Sequence, residues 1–199
     1  MIIHDVQQSS PEWFKVRAGK ITCSNLEKLF MGKSTKGYND YINTLVYERL
    51  TNDIPESYES EWMIRGKELE GSARDRYELE TFSKATQIGF VELDEFFGYS
   101  PDAFVGDNGL FEAKCPKHTT IIGYRLFPAT FYKEYKYQCQ GGLYATKREW
   151  IDLMAFHPKL EPIIQRIKVD EEIQVEIAKE VEIAKNLIQE RIKIIKEKQ

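Results

Sequence analysis

Asp102, Glu112 and Lys114 stand in a D-x₉-E-x-K arrangement, and Ser100-Pro101 leads directly into the first acid. Two acids and a lysine at this spacing suit hydrolysis of a phosphodiester bond with Mg²⁺. The ion prefers carboxylate, carbonyl and water oxygens and keeps several of its waters. One or two such ions clamp a scissile phosphate and activate a water. A neighbouring lysine orients that water or offsets charge gathering on the phosphate. The intervening residues read as a hairpin: Ala103-Phe104-Val105 is short and apolar, Asp107-Asn108-Gly109 is turn chemistry, and Leu110-Phe111 resumes a strand. The hairpin returns Glu112 to the side of Asp102. Along the second strand Glu112 and Lys114 share one face, and Ala113 points away while its carbonyl remains available as an oxygen ligand. The same spacing also fits a turn aspartate beside an exposed cross-strand charge pair, so further segments must decide.

Three more stretches bear on that choice: Trp13-Phe14-Lys15-Val16-Arg17-Ala18-Gly19-Lys20-Ile21-Thr22-Cys23-Ser24, Arg65-Gly66-Lys67-Glu68-Leu69-Glu70-Gly71-Ser72-Ala73-Arg74, and Tyr135-Lys136-Tyr137-Gln138-Cys139-Gln140. Together with Ser100-Pro101-Asp102 and Glu112-Ala113-Lys114-Cys115-Pro116, and in this order, they resemble the phage lambda exonuclease family. These are the YqaJ-type viral recombinase nucleases, a branch of the PD-(D/E)xK nucleases. The resemblance runs from about residue 13 to residue 168.

The resemblance implies a role for each matched position. Asp102 and Glu112 correspond to metal-binding carboxylates, with the Ala113 carbonyl as a further ligand and Glu70 helping to hold a second ion or its water. Lys114 corresponds to the signature lysine, and Gln138 to a glutamine at the reacting region. Arg17 and Ser24 correspond to positions that bind a terminal 5′ phosphate. The implied activity is Mg²⁺-dependent 5′-to-3′ digestion of one strand of linear duplex DNA, with Mn²⁺ as a substitute ion. A ring-shaped homotrimer and a single-strand annealing protein are the implied partners. Two other readings stay open: an endonuclease of the restriction or repair type, and a noncatalytic DNA-binding subunit of the same fold. Gln138 and Gln140 lie about 200° apart around a helix, so only one of them faces the site; Gln138 is preferred, with Gln140 packing near Trp150 or the sheet. Glu68 is the fallback for Glu70.

With 199 residues, 42% hydrophobic and 13% aromatic, the chain can bury a full core. A single nuclease domain over residues 1–199 is expected, with 170–199 as a helical extension. No apolar run is long enough for a membrane span, and the first residues lack a basic and apolar leader. Cys23, Cys115 and Cys139 are scattered rather than paired as C-x-x-C. A reducing cytoplasm follows, without a zinc or iron–sulfur site. The formal charge of −4 is unusual for a DNA-binding protein. Phosphate contacts need only a local basic stripe, with Lys15, Arg17, Lys20, Lys33, Lys36, Lys117 and Arg125 as candidates.

Helices are expected after Ser9-Ser10-Pro11, over 24–30, over 39–50 and around Glu70, where Trp62, Leu69, Ala73 and Tyr77 form an apolar stripe. Asn52-Asp53-Ile54-Pro55 breaks the chain before the Glu70 helix. Strands are expected over 87–97, through the hairpin, over 150–156 and over 163–169. His118 reads as a surface-loop residue. The tail from Asp170 is an amphipathic helix carrying Ile173, Ile177, Val181, Ala184, Ile188 and Ile192. The whole is an α/β, restriction-endonuclease-like fold: a mixed central sheet flanked by helices, a long C-terminal helix, and the site at one sheet edge.

Overall fold

The computed structural model describes residues 1–54 and 61–198, with the side chains of Trp62 and Met63 outside that description. The apolar stripe residue Trp62 and the chain-breaking Pro55 therefore lie outside the described set.

Local chemistry accounts for most element ends. Helix α1 (Pro11–Arg17) begins with Pro11 in its first turn, and the Ser10 hydroxyl accepts from Trp13 N at 3.2 Å. A 3₁₀ helix follows over Cys23–Phe30. Helix α2 (Lys36–Thr51) is capped by Thr35 and closed by Asn52 in the left-handed region. Helix α3 spans Glu61–Thr81, α4 His118–Leu126 and α5 Pro128–Thr146. His118 thus opens a helix rather than sitting in a loop. Helix α6 (Glu171–Glu197) has Asp170 accepting from Ile173 N and two glutamates in its first turn, which suits the helix dipole.

The strands are β1 (Ile2–His4), β2 (Ile21–Thr22), β3 (Ala85–Thr86), β4 (Phe90–Glu92), β5 (Phe97–Tyr99), β6 (Ala103–Val105), β7 (Gly109–Lys114), β8 (Trp150–His157) and β9 (Leu160–Lys168). Among the described residues they form two mixed sheets, ordered β1-β4-β5-β2 and β3-β6-β7-β8-β9. The single strand expected over 87–97 is instead a hairpin of β4 and β5 in the smaller sheet. Asp94 makes the reversal, because its carboxylate accepts from Phe96 N at 2.7 Å and Phe97 N at 3.0 Å. β7 pairs antiparallel with β6 and parallel with β8, so it is an inner strand. The site therefore lies at the strand ends and not on an edge strand.

The two faces of β7 meet different cores. Leu110 faces a cluster with Ile151, Leu153 and Ala155 of β8, closed by residues of α2, α5, α6 and the 3₁₀ helix. Phe111 faces a smaller cluster with Ala73 and Tyr77 of α3. Period-2 alternation then puts Glu112 and Lys114 on the α5 side. Gly109 is required where β7 starts, since an added Cβ would lie 2.2 Å from the Trp150 ring. Helix α6 packs its apolar stripe onto the domain: Ile177, Ala184 and Ile188 are fully buried in the larger cluster. Arg191 also donates to the Asn39 and Asn43 side chains of α2. Among the described residues no helix is long and apolar enough to cross a membrane.

Candidate active site

Ala103 lies opposite Phe111 in the hairpin, so one step further along brings Asp102 beside Glu112. Asp102 Oδ2 accepts from Ala113 N at 2.7 Å, and this bond sets the acid against the strand that carries the other two groups. Glu112 is only 3% exposed. Its Oε1 accepts from Lys114 Nζ at 2.7 Å and from Gln138 Nε2 at 2.5 Å, while its Oε2 accepts from the Tyr99 hydroxyl. Lys114 also donates to Gln138 Oε1 at 3.0 Å and lies over the Tyr135 ring at 4.8 Å. A surface charge pair does not look like this: the glutamate is buried, the lysine is largely covered, and neutral donors enclose the carboxylate.

The electrostatics fit a site short of positive charge. Burial drives the Asp102 carboxyl well above the usual carboxylate range, and the Glu112 and Glu70 carboxylates push it further; Lys114 and the Ala113 N–H oppose them only in part. Glu70, on α3, is raised by burial and then by Glu112, against relief from Lys114, Lys67 and Arg74. Burial alone would lower Lys114, but Glu112 and Asp102 outweigh it and hold the ammonium above the ordinary lysine value. Glu70, Asp102 and Glu112 thus feel one another although three separate elements carry them. Glu68 is exposed.

Among the described residues no group of three His, Cys, Asp or Glu side chains converges into a ready ion cage. Mg²⁺ needs no such cage, since one or two carboxylates with waters and substrate oxygens suffice. Asp102 and Glu112, joined through the Ala113 peptide and mutually repelling, fit that donor set, with Glu70 as the outlying acid.

Gln138 and Gln140 separate cleanly. Gln140 is fully buried and meets the sheet at the end of β9, as expected, rather than the acids. It donates to the Tyr132 hydroxyl and to Lys168 O, and accepts from Asp170 N at 3.0 Å, joining β9 to the start of α6. We expect Gln140→Leu to cost about 2 kcal/mol of stability by orphaning those groups, with kcat within about twofold of the native value. Gln138→Leu should do the reverse, and paired denaturant melts and rate measurements distinguish the two.

Arg17 and Ser24 make different contacts. The Arg17 guanidinium stacks 3.9 Å over Trp13 and donates to Ser100 Oγ at 2.7 Å, two residues before Asp102. Burial lowers it to about 10. Trp13 Nε1 donates to the same Ser100 hydroxyl, and Gln8 donates to Pro101 O. The N-terminal motif therefore braces the turn into Asp102. Ser24 is exposed and lines a small cavity of about 150 Å³ with Glu27, Tyr135, Tyr137 and Gln138, which Arg17 does not line. Of the other basic candidates, Lys33 is taken by Glu180 and Leu29 O, Lys20 lies 3.8 Å from Glu92, and Arg125 donates to Glu161 O. The three cysteines are free thiols; Cys23 and Cys139 are buried, and burial followed by Glu112 pushes Cys139 up to about 12. Tyr99 was not legible as a site residue, its only sequence signal being that it precedes Ser100-Pro101-Asp102; Ser100 stood in that motif without a role.

The YqaJ-like viral recombinase domain matches residues 12–149, which holds every residue of the site. The chain belongs to that family. LHK-Exo, an alkaline exonuclease from Laribacter hongkongensis, superposes on this YqaJ-family chain with a TM-score of 0.87 at 32% identity, covering 95% of this chain and 97% of its own. The structure of LHK-Exo in complex with dAMP matches with the same values. A phage-related exonuclease from Haemophilus somnus 129PT shares the fold, with a TM-score of 0.71 at 15% identity over 92% of this chain and 99% of its own. None of the curated proteins compared matches the chain.

Proposed function

We propose that this YqaJ-family chain is a metal-dependent exodeoxyribonuclease that digests one strand of linear duplex DNA from its 5′ end and leaves 3′ single-stranded overhangs for recombination. The observation that carries the reading is the buried convergence of Asp102, Glu112, Lys114 and Gln138 beside the Ala113 peptide. The alkaline exonuclease activity named for LHK-Exo supports it.

Asp102, Glu112 and the Ala113 carbonyl would hold one Mg²⁺, with Glu70 serving a second, and Mn²⁺ would substitute. When bound, the ion supplies positive charge for the phosphate and a more acidic water. The chain's own groups do the rest. Lys114 is kept protonated by its acidic neighbours, so it donates to the attacking water or to a phosphate oxygen. Gln138 fixes both Lys114 and Glu112 through a single amide, and Tyr99 holds the far oxygen of Glu112. Arg17 offers a guanidinium to a terminal phosphate at the turn into Asp102. A homotrimeric ring, a single-strand annealing partner and a cytoplasmic setting belong to the same proposal.

The test is digestion of end-labelled duplex DNA with Mg²⁺. Linear DNA should disappear, fastest with 5′-phosphate ends, while closed circles survive. Cleaved circles would replace this reading with the endonuclease, and no cleavage with either Mg²⁺ or Mn²⁺ would leave a binding subunit. On the same substrates Arg17→Ala should lose about tenfold of the preference for 5′-phosphate over 5′-hydroxyl ends, the worth of one charge-assisted contact. An unchanged preference would move the phosphate contact to another residue.

A further inference from the structure

Glu70 reaches the site from α3, and among the described side chains of that helix Leu69 is half-buried, Ala73 is buried and small, and Tyr77 is large and fully buried. Two polar ties hold the helix in place. Seven residues after Glu70, about 10 Å along the axis and nearly the same direction around it, the Tyr77 hydroxyl donates to Asp152 Oδ2 at 2.6 Å. Its ring packs on Phe111 of β7, the residue before Glu112, with centroids 4.3 Å apart. Asp152 is 1% exposed and lies opposite Phe111 in the parallel register. It is held by both Nε and Nη2 of Arg166 at 2.8 Å. Five residues before Glu70, Arg65 Nη1 donates to Cys115 O at 3.1 Å and to Pro116 O, immediately after Lys114. A carboxylate in an apolar cluster is a poor source of net stability, so the Tyr77–Asp152–Arg166 group calls for a positional explanation.

We propose that Tyr77, tied to Asp152, and Arg65, tied to the backbone after Lys114, are positioning residues that set where Glu70 stands relative to Asp102 and Glu112. The proposal rests on the reading of Glu70 as a site acid. α3 is strung between the two ties, one on β8 beside β7 and the other on the chain just after β7, the strand that carries Glu112 and Lys114. Among the described residues Glu70 is thereby placed with no hydrogen bond of its own to β7.

The test is a double-mutant cycle of Tyr77→Phe and Glu70→Gln, read by Mn²⁺ binding (electron paramagnetic resonance of the free ion) and by steady-state digestion. Tyr77→Phe keeps the ring on Phe111 and removes only the tie. It should weaken Mn²⁺ binding about tenfold and lower kcat by a similar factor, with KM within twofold. In the Glu70→Gln background it should add nothing. Arg65→Gln should repeat this pattern without touching the buried Asp152, and it decides the matter if Tyr77→Phe does not fold. Equal losses in both backgrounds would make the ties merely structural and overturn the proposal while leaving Glu70 in the site. A Glu70→Gln protein that binds Mn²⁺ and cleaves like the native one would remove Glu70 from the site, and the proposal with it.

Discussion

Asp102→Asn should reduce cleavage of linear duplex DNA by about 10³-fold or more while making the metal-free protein more stable. The activity loss follows from taking away a charged oxygen ligand next to the Ala113 peptide. The stability gain follows from the electrostatics: burial, then Glu112, then Glu70, raise the Asp102 carboxyl well above its unfolded value. A raised acid contributes stability that is full below its unfolded value, about 3.9, and that is lost as pH climbs through the folded value. At neutral pH the native chain thus carries a penalty that the neutral amide avoids, and Asn can still accept from Ala113 N. Melts in EDTA from pH 4 to pH 8 should show the variant pulling ahead of the native protein as pH rises. Adding Mg²⁺ should then raise the native melting temperature and leave the variant nearly unmoved, because only the native site gains a bound ion. Identical melting curves at every pH would mean that the acid is not under electrostatic stress and that the cation reading lacks its main physical support.

Lys114→Met should damage both stability and rate. Glu112 is 3% exposed, and its ammonium partner sits 2.7 Å away. Removing one member of a buried pair strands the other, at a cost of about 3 kcal/mol. The low end of that range applies because Tyr99 and Gln138 still donate to the carboxylate. For a chain of this length such a loss lowers the melting temperature by roughly 6–12 °C. The rate should fall by about 10²–10³-fold, as expected when one donor to developing phosphate charge is lost. Glu112→Gln added to Lys114→Met should restore most of the stability and none of the activity. Recovery of activity in the double variant would mean that the pair serves the fold alone.

The charges and their order along the chain were readable early because hydrolysis of a phosphodiester restricts the residue types that can serve. D-x₉-E-x-K across turn residues specifies a hairpin, and period-2 alternation then puts Glu112 and Lys114 on one face. Ser10-Pro11 and Asp170 were likewise legible as helix starts, since capping is a matter of neighbouring residues. Other features were not local. The β4–β5 hairpin depends on a single aspartate, Asp94, within a stretch whose composition suits one continuous strand. Whether Gln138 or Gln140 faces the acids turned on how α5 rolls against the sheet, and helical spacing alone permits either.

The sequence by itself determined the acids and the lysine of the candidate site, its hairpin and the membership signalled by four ordered motifs, because these rest on chemistry and on residues close together in the chain. Tertiary structure alone decided that Tyr99 and Gln138 enclose Glu112 and that Trp13 and Arg17 brace Ser100. Those contacts join residues 13 to 87 positions apart, and no period or motif encodes which distant side chain packing will bring within hydrogen-bonding reach.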